Sequence, residues 1–275
     1  MKLKYLGTAA AEGFPALYCQ CDACKEASLK KGKNIRTRAQ ALIDNQLLID
    51  FGPDTYFHML THNVPLDQIH HVLVTHDHSD HFYANELIFR RKGYASKVEK
   101  EPLIVYGDKA VYDSTINVIK QDDLQGYIKA HLIELYKPFK VLNYTITALR
   151  ANHDEKATPV LYLIDDGMKC MLYAHDTGFF PQETKEYLKN LKKPLDLISL
   201  DCTAGILKGW GYGHLSFDCF LQVIEDLKKD GAIDEHTKII ANHFSHNGLA
   251  TYDKMKQEAK PYHVDVSYDG MEIDI

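Results

Sequence analysis

Thr75-His76-Asp77-His78-Ser79-Asp80-His81 follows directly on the apolar segment Val72-Leu73-Val74. Neutral imidazole nitrogens and carboxylate oxygens are the ligands that hold Zn²⁺, Mn²⁺ or Fe. A strand ending in a short loop aims His76 and His78 at one point, because alternate residues of an extended segment share a face. A helix beginning near Ser79 would turn the following residues toward a second point close by. The spacing therefore predicts a two-metal centre, in which the ions hold a substrate oxygen and generate a hydroxide. A polar surface loop that happens to be rich in histidine is the competing reading. It fits poorly with a buried strand and so many ligands together.

The rest of the chain supplies further donors. His153 lies in Ala151-Asn152-His153-Asp154, after the strand-like stretch Tyr144-Thr145-Ile146-Thr147-Ala148-Leu149. Asp176 follows the apolar run Cys170-Met171-Leu172-Tyr173-Ala174, and His243 ends Ile239-Ile240-Ala241-Asn242. Each is placed at the downstream end of a strand, so one edge of a sheet can gather them all. His-x-His-x-Asp-His, followed by a later His, an Asp and a last His, resembles the metallo-β-lactamase superfamily of hydrolases across essentially the whole chain. The resemblance implies an α+β fold, a four-layer αβ/βα sandwich of two mixed sheets with helices outside. It also implies that His76, His78 and His153 hold one divalent metal (Zn or Mn), that Asp80, His81 and His243 hold a second, and that Asp176 bridges them.

Cys19, Cys21 and Cys24 form Cys-x-Cys-x-x-Cys within Tyr18-Cys19-Gln20-Cys21-Asp22-Ala23-Cys24, a spacing tight enough to converge on one ion. Three thiolates make most of a tetrahedral structural zinc site and need a fourth ligand. A disulfide would leave one thiol over. The best fourth ligand is His246, three residues past His243; the alternative for it is an exposed loop histidine. These cysteines, preceded by Leu6-Gly7-Thr8-Ala9-Ala10-Ala11-Glu12-Gly13, look like those of the phosphodiesterase of bacterial phosphonate breakdown, which opens phosphoribosyl 1,2-cyclic phosphate. The B protein of pyrroloquinoline quinone biosynthesis is similar there, so the cysteines select a branch and not one substrate.

Composition narrows the class further. With 275 residues, 45% of them hydrophobic, the chain can bury a substantial core. Absence of a linker or repeat favours one hydrolase domain over 1–275. A formal charge of −6 argues against a strongly basic nucleic-acid surface. Nucleic acid is thus an unexpected partner, whereas a small anionic phosphodiester held by metal ions is compatible. The start, Met1-Lys2-Leu3-Lys4-Tyr5-Leu6, carries no secretion signal, and no apolar run reaches the roughly 20 residues that span a bilayer. A cytoplasmic protein without membrane contact is expected, with a homodimer possible. Scattered Cys170, Cys202 and Cys219 read as reduced and buried.

The pattern of apolar runs and turns predicts hairpins first, then strands alternating with helices. Strands are expected over Lys2–Thr8 and Ala39–Phe51, the latter broken at Asp44-Asn45-Gln46, and over His71–Thr75 and Leu103–Tyr106. Later ones are Thr158–Ile164, Lys169–Ala174, Leu195–Leu200 and Lys238–Asn242, with a terminal hairpin over His263–Ile275. Helices are expected over Thr55–His62, Asn85–Arg91, Lys109–Lys120, Gln182–Lys193, Ser216–Lys229 and Thr251–Ala259. Such grammar fits two sheets packed face to face.

Besides the metal ligands, Asp201 and His214 stand out. Asp201 ends a strand in Asp201-Cys202-Thr203, and His214 lies in Gly211-Tyr212-Gly213-His214-Leu215-Ser216 before the long helix. They look like the acid–histidine pair of phosphodiesterase branches that process tRNA ends. A carboxylate beside imidazole raises its pKa and makes it a proton donor for a departing alkoxide. A helix cap and a core acid paired elsewhere are the plainer alternative. Asp50 is expected to orient a metal-loop histidine. Arg36 and Arg38 could bind phosphate but read more readily as a solvated basic face. His175 should point away from its neighbour Asp176, and Tyr83 and Trp210 are candidates for the cleft. The leading expectation is a dinuclear phosphodiesterase for a small cyclic diester, with a metal-bridging hydroxide as nucleophile. Alternatives are a lactonase, thioesterase or β-lactamase, a tRNA 3′-end endonuclease, and a quinone-cofactor biosynthesis protein.

Overall fold

A computed structural model describes residues 1–154 and 157–275. The first sheet is built from β1 (Lys2–Gly7), β2 (Gln40–Ile43), β3 (Leu47–Ile49), β4 (His71–Leu73), β5 (Leu103–Gly107) and β6 (Ile128–Leu132), with β14 (Glu272–Asp274) added from the chain's far end. The second contains β7 (Phe139–Val141), β8 (Tyr144–Arg150), β9 (Val160–Asp165), β10 (Cys170–Ala174), β11 (Leu197–Asp201), β12 (Lys238–Asn242) and β13 (Asp265–Val266). Spatial orders are β14-β1-β2-β3-β4-β5-β6 and β13-β12-β11-β10-β9-β8-β7. Each sheet runs antiparallel at first and then parallel, from β3 to β6 in one and from β10 to β13 in the other. Both are mixed, as the order of hairpins and helices predicted.

Alternate residues of each strand face opposite layers. In β2, Ala41 and Ile43 enter the core between the sheets with Tyr5, Ile49, Tyr162, Ile164 and Tyr173. Leu42 faces outward instead, into a core with Leu48, Val72 and the helix residues Val111 and Val118. Those two belong to α3 (Lys109–Gln121), which starts at Asp108, whose carboxylate accepts the Val111 N–H at 3.0 Å. The second sheet is covered by α4 (Gln182–Lys189), α5 (Phe217–Lys229) and α6 (Tyr252–Ala259) through Leu188, Phe220, Val223, Leu227 and Met255. Four layers result. Direct bonds also cross between the sheets: the Tyr162 hydroxyl donates to the Val74 carbonyl at 2.7 Å, and the Val160 N–H to the Thr75 carbonyl at 2.9 Å.

Several expectations need correction. No helix begins at Ser79; residues 79–81 form a turn, and a 3-10 helix follows over Ala84–Arg90 where an α-helix was expected. The C-terminal segment is not a hairpin, because β13 pairs with β12 and β14 with β1, in different sheets. Short strands around Asp269-Gly270 resemble a hairpin locally, but the free edges of the two sheets capture them separately. A first helix, α1 (Asp22–Lys30), and the short strands β6 and β7 were not anticipated. In β6, Lys129, His131 and Leu132 are not buried, so it lacks the apolar run that marks the inner strands.

Candidate active site

The downstream ends of β3, β4, β8, β10, β11 and β12 open on one edge of the sandwich, and the expected ligands follow those ends. Donor atoms of His76, His78 and His153 lie within 4.8 Å of one another, as do those of Asp80, His81 and His243. Asp176 sits between the groups, with Oδ2 at 2.9 Å from His81 Nε2 and 3.1 Å from His243 Nε2, and Oδ1 at 3.6 Å from His153 Nε2. The two triads and the intermediate carboxylate inferred above are thus brought together by the fold.

The histidines are pre-aimed. His81 Nδ1 meets Asp50 Oδ2 at 2.7 Å, His76 Nδ1 the Thr75 hydroxyl at 3.0 Å, and His243 Nδ1 the Thr203 hydroxyl at 2.7 Å. His153 Nδ1 donates to the Gly213 carbonyl at 3.1 Å. A partner on one ring nitrogen fixes the ring and leaves the other free to ligate. Asp50 therefore has the orienting position expected of it, and its other oxygen accepts the Thr75 N–H at 2.8 Å. Thr75 and Thr203 do the same for neighbouring rings, a role their sequence context did not reveal. Asp50, Asp176 and His243 have φ of 68°, 52° and 64°, the left-handed region that non-glycine residues seldom occupy. Such backbone persists where surrounding contacts hold it, commonly at functional sites.

These residues fit divalent cations on an observation independent of their identity. Six buried side-chain polar atoms among the described residues have no hydrogen-bond partner, and four of them are His76 Nε2, His81 Nε2, His243 Nε2 and Asp176 Oδ2. Close as some are, they do not align as donor and acceptor. Leaving such atoms buried is costly unless something binds them. Charge points the same way. Burial disfavours a proton on His81, yet Asp176, Asp80 and Asp50 hold its pKa well above the ordinary value. Carboxylates here draw positive charge inward, as a metal site requires.

His214 stands beside this group. Its Nδ1 lies 3.0 Å from Asp201 Oδ2 and 3.8 Å from Asp176 Oδ1. Burial works to lower its pKa, but Asp201 and then Asp176 override that and raise it to about 9. Asp201, Asp176, His214 and His243 also form a cluster compact enough for a metal. Asp201 has little to offer a metal, because both its oxygens are used. Oδ1 accepts the N–H groups of Thr203 and Leu215, each at 3.0 Å. Oδ2 accepts the Asp176 N–H and the Thr203 hydroxyl, again at 3.0 Å, besides facing His214.

A cavity of about 550 Å³ opens over the cluster, and its lining includes His214, Trp210, Leu207, Glu12, Ser245 and Asn247. Trp210 thus reaches the cleft, while Tyr83 is not among its lining residues. His175 points away, between the sheets, with Nε2 at 2.7 Å from Ser199 Oγ. Arg36 is not on a solvated face: it is buried, donates to Thr8 Oγ1 and the Ser267 carbonyl at 2.8 Å each, and stacks on Phe244. Arg38 is paired with Asp54 at 3.0 Å.

Cys19, Cys21, Cys24 and His246 form a separate cluster, with all cysteines free of disulfides. His246 Nδ1 is 3.4 Å from Cys19 Sγ and 3.5 Å from Cys21 Sγ. Tetrahedral zinc, with bonds of about 2.3 Å to sulfur and about 2.0 Å to nitrogen, separates those atoms by about 3.5 Å. The four side chains fit the ion. The Cys21 thiol is lowered to about 6, chiefly by the Cys24 backbone N–H and then by His246, while burial pushes the Cys24 thiol up to about 12, so one thiolate of the three is favoured before any ion binds.

Comparison with known proteins agrees with this geometry. The Beta-lactamase superfamily domain matches residues 45–237. No curated protein sequence matches the chain. Among solved structures, Zn²⁺-bound PqqB from Methylobacterium extorquens superposes with a TM-score of 0.77 at 18% identity, covering 100% of both chains. A diphosphatase from the PhnP family gives 0.74 at 20% identity, covering 100% of this chain and 97% of the other. Human tRNase Z, short form, gives 0.66 at 16%, covering 100% and 99%. At such identities these structures speak for the fold alone. Matching over most of its length, and carrying that fold with candidate metal-ligand clusters at its open edge, this chain belongs to the metallo-β-lactamase superfamily.

Proposed function

We propose that this chain is a dinuclear metal-dependent phosphodiesterase acting on a small diester. The observation that carries the reading is the Asp201–His214 pair beside the orphaned ligand atoms. His76, His78 and His153 would hold one cation, Asp80, His81 and His243 the other, with Asp176 shared. Bound there, divalent cations supply Lewis acidity toward the phosphoryl group and activate water. The remaining work belongs to the chain. His214 donates a proton to the leaving oxygen as its bond to phosphorus breaks, and Asp201 keeps that imidazole charged and oriented. Asp50 and the two threonines hold the ligating rings without rearrangement. A carbonyl substrate with an easily expelled group has less need of such a proton, which favours the diester over a lactone or thioester. Cys19, Cys21, Cys24 and His246 would bind one structural zinc.

The test is hydrolysis by protein loaded with Zn²⁺ or Mn²⁺. Bis-p-nitrophenyl phosphate and an alkyl phosphodiester should be cleaved in preference to a lactone and nitrocefin. Cleavage of the carbonyl substrates alone would overturn the proposal.

A further inference from the structure

Glu12 lines the candidate catalytic cavity and also stands beside the histidine of the cysteine cluster. Residues 9–12 are pinned beside the active site: Ala9 bridges to Phe244, and the Ala10 N–H donates to the Phe244 carbonyl at 3.1 Å. Phe244 directly follows the candidate ligand His243. Glu12 Oε1 accepts the Ser245 hydroxyl in a short hydrogen bond and lies 3.6 Å from His246 Nε2. That ring turns its other nitrogen toward Cys19 and Cys21. A carboxylate behind a ligating histidine is a common orienting device. Here the same carboxylate also lines the cavity that holds the candidate catalytic residues. Its side chain is 29% exposed, so part of it is open to an occupant.

The His214 imidazolium apart, cationic side chains are scarce in the lining. Among the described residues that line the cavity there is no lysine or arginine, while Trp210, Leu207 and Ala204 give it an aromatic and aliphatic side. The cations that would bind one phosphodiester would be held by the histidine clusters, of which Glu12 is not a member. A second phosphate reaching Glu12 meets a carboxylate; a hydroxyl or ammonium group meets a hydrogen-bond acceptor.

We propose that Glu12 is a specificity-determining residue: it favours phosphodiesters whose non-phosphate part presents a hydroxyl or ammonium group, and disfavours those that bring a second phosphate to it. The inference rests on the phosphodiesterase reading and names its substrate class. Ribose 1,2-cyclic phosphate and phosphoribosyl 1,2-cyclic phosphate share one cyclic diester and differ by a phosphate, so they isolate the effect. Metal-loaded wild-type protein should show a kcat/KM about tenfold higher for the unphosphorylated ring, through like-charge repulsion between the second phosphate and the Glu12 carboxylate. That preference should reside mainly in KM. Glu12→Gln should move the two substrates in opposite directions, lowering kcat/KM severalfold for ribose 1,2-cyclic phosphate and raising it about tenfold for the phosphorylated one. Zinc content should stay at the wild-type level.

A purely structural role would lower both substrates together or release zinc, and either result overturns the proposal. Wild-type preference for the phosphorylated ring overturns it without any variant. Failure of the underlying phosphodiesterase reading is distinguishable, because bis-p-nitrophenyl phosphate would then not be cleaved at all.

Discussion

Asp201→Asn tests both the chemistry and the architecture of the site, because one carboxylate serves both. Its Oδ1 accepts two backbone N–H groups, from Thr203 and Leu215, and Oδ2 accepts the Asp176 N–H and the Thr203 hydroxyl, all at 3.0 Å. An amide has one oxygen, so its NH₂ must face donors on whichever side it takes. Two buried donors left unpaired at about 1–3 kcal/mol each cost about 2–4 kcal/mol after partial relaxation. For a chain of this size that lowers Tm by about 3–7 °C. The electrostatic effect falls on His214. With the charge removed, burial dominates and the imidazole drops from about 9 to its ordinary 6.5 or below. At about 1.4 kcal/mol per decade this is a loss of roughly 3 kcal/mol. The proton donor is effective below its pKa, so the alkaline limb of the rate profile should move to lower pH. Well above both values the protonated fraction falls by the full shift, about 300-fold, and kcat for an alkyl phosphodiester should fall with it, the loss vanishing well below both. Bound cations lower both values together, so the variants should be compared with the same metal, by pH–rate profile and thermal melt. An unmoved alkaline limb would refute the charge argument, and an unmoved Tm would refute the buried-acceptor argument.

His214→Ala should keep full metal occupancy yet lose about 10²–10⁴ in rate on an alkyl diester and much less on p-nitrophenyl esters, whose leaving group needs little protonation. Equal losses would mean that His214 binds substrate without donating the proton, and loss of metal would make it a ligand. Gly52→Ala would place a methyl group 2.0 Å from the Asp80 carbonyl oxygen. Metal analysis and melting should show a displaced metal loop, with at least about 1–3 kcal/mol lost. His76→Ala and Asp176→Ala should abolish diester hydrolysis and lower metal content while circular dichroism stays native; wild-type turnover by either would remove the dinuclear mechanism. Mild chelation should strip the His/Asp centre first and leave about one zinc per chain, which Cys21→Ser should then lose together with thermal stability. Simultaneous release of all metal would contradict two independent sites.

The donors near His76 were legible because they are contiguous, and the later ones because each follows an apolar run long enough to be an inner strand. Asp201 and His214 were legible as a pair, since a carboxylate ending one strand and a histidine entering a helix suggest a shared edge. What Asp201 does for the Asp176 and Leu215 amides was not, because it depends on how three loops meet. Left-handed backbone at Asp50, Asp176 and His243 leaves no mark in residue type. Arg36 looked like surface because arginine usually is; only the folding of Thr8, Phe244 and Ser267 around it makes it interior. Strand partners of β13 and β14 were missed for the same reason, as edges far apart in the chain decide them.

Each three-residue ligand group at the open edge draws on both sheets: His76 and His78 with His153, His76 and His81 with Asp176, Asp80 and His81 with His243. Cations placed there would act as rivets through the seam, and ions at 1,000 times their Kd would add about 4 kcal/mol to the stability of the closed sandwich. The converse has a practical meaning. Ligation tolerates only a fraction of an ångström, so a sliding of one sheet over the other would empty the centre long before the fold melts. Tyr162, whose hydroxyl reaches across to the Val74 carbonyl just ahead of the His76–His81 loop, would thus support the affinity for a cation held there without touching it. Damage to the middle of this molecule should announce itself first as weakened metal binding at the open edge.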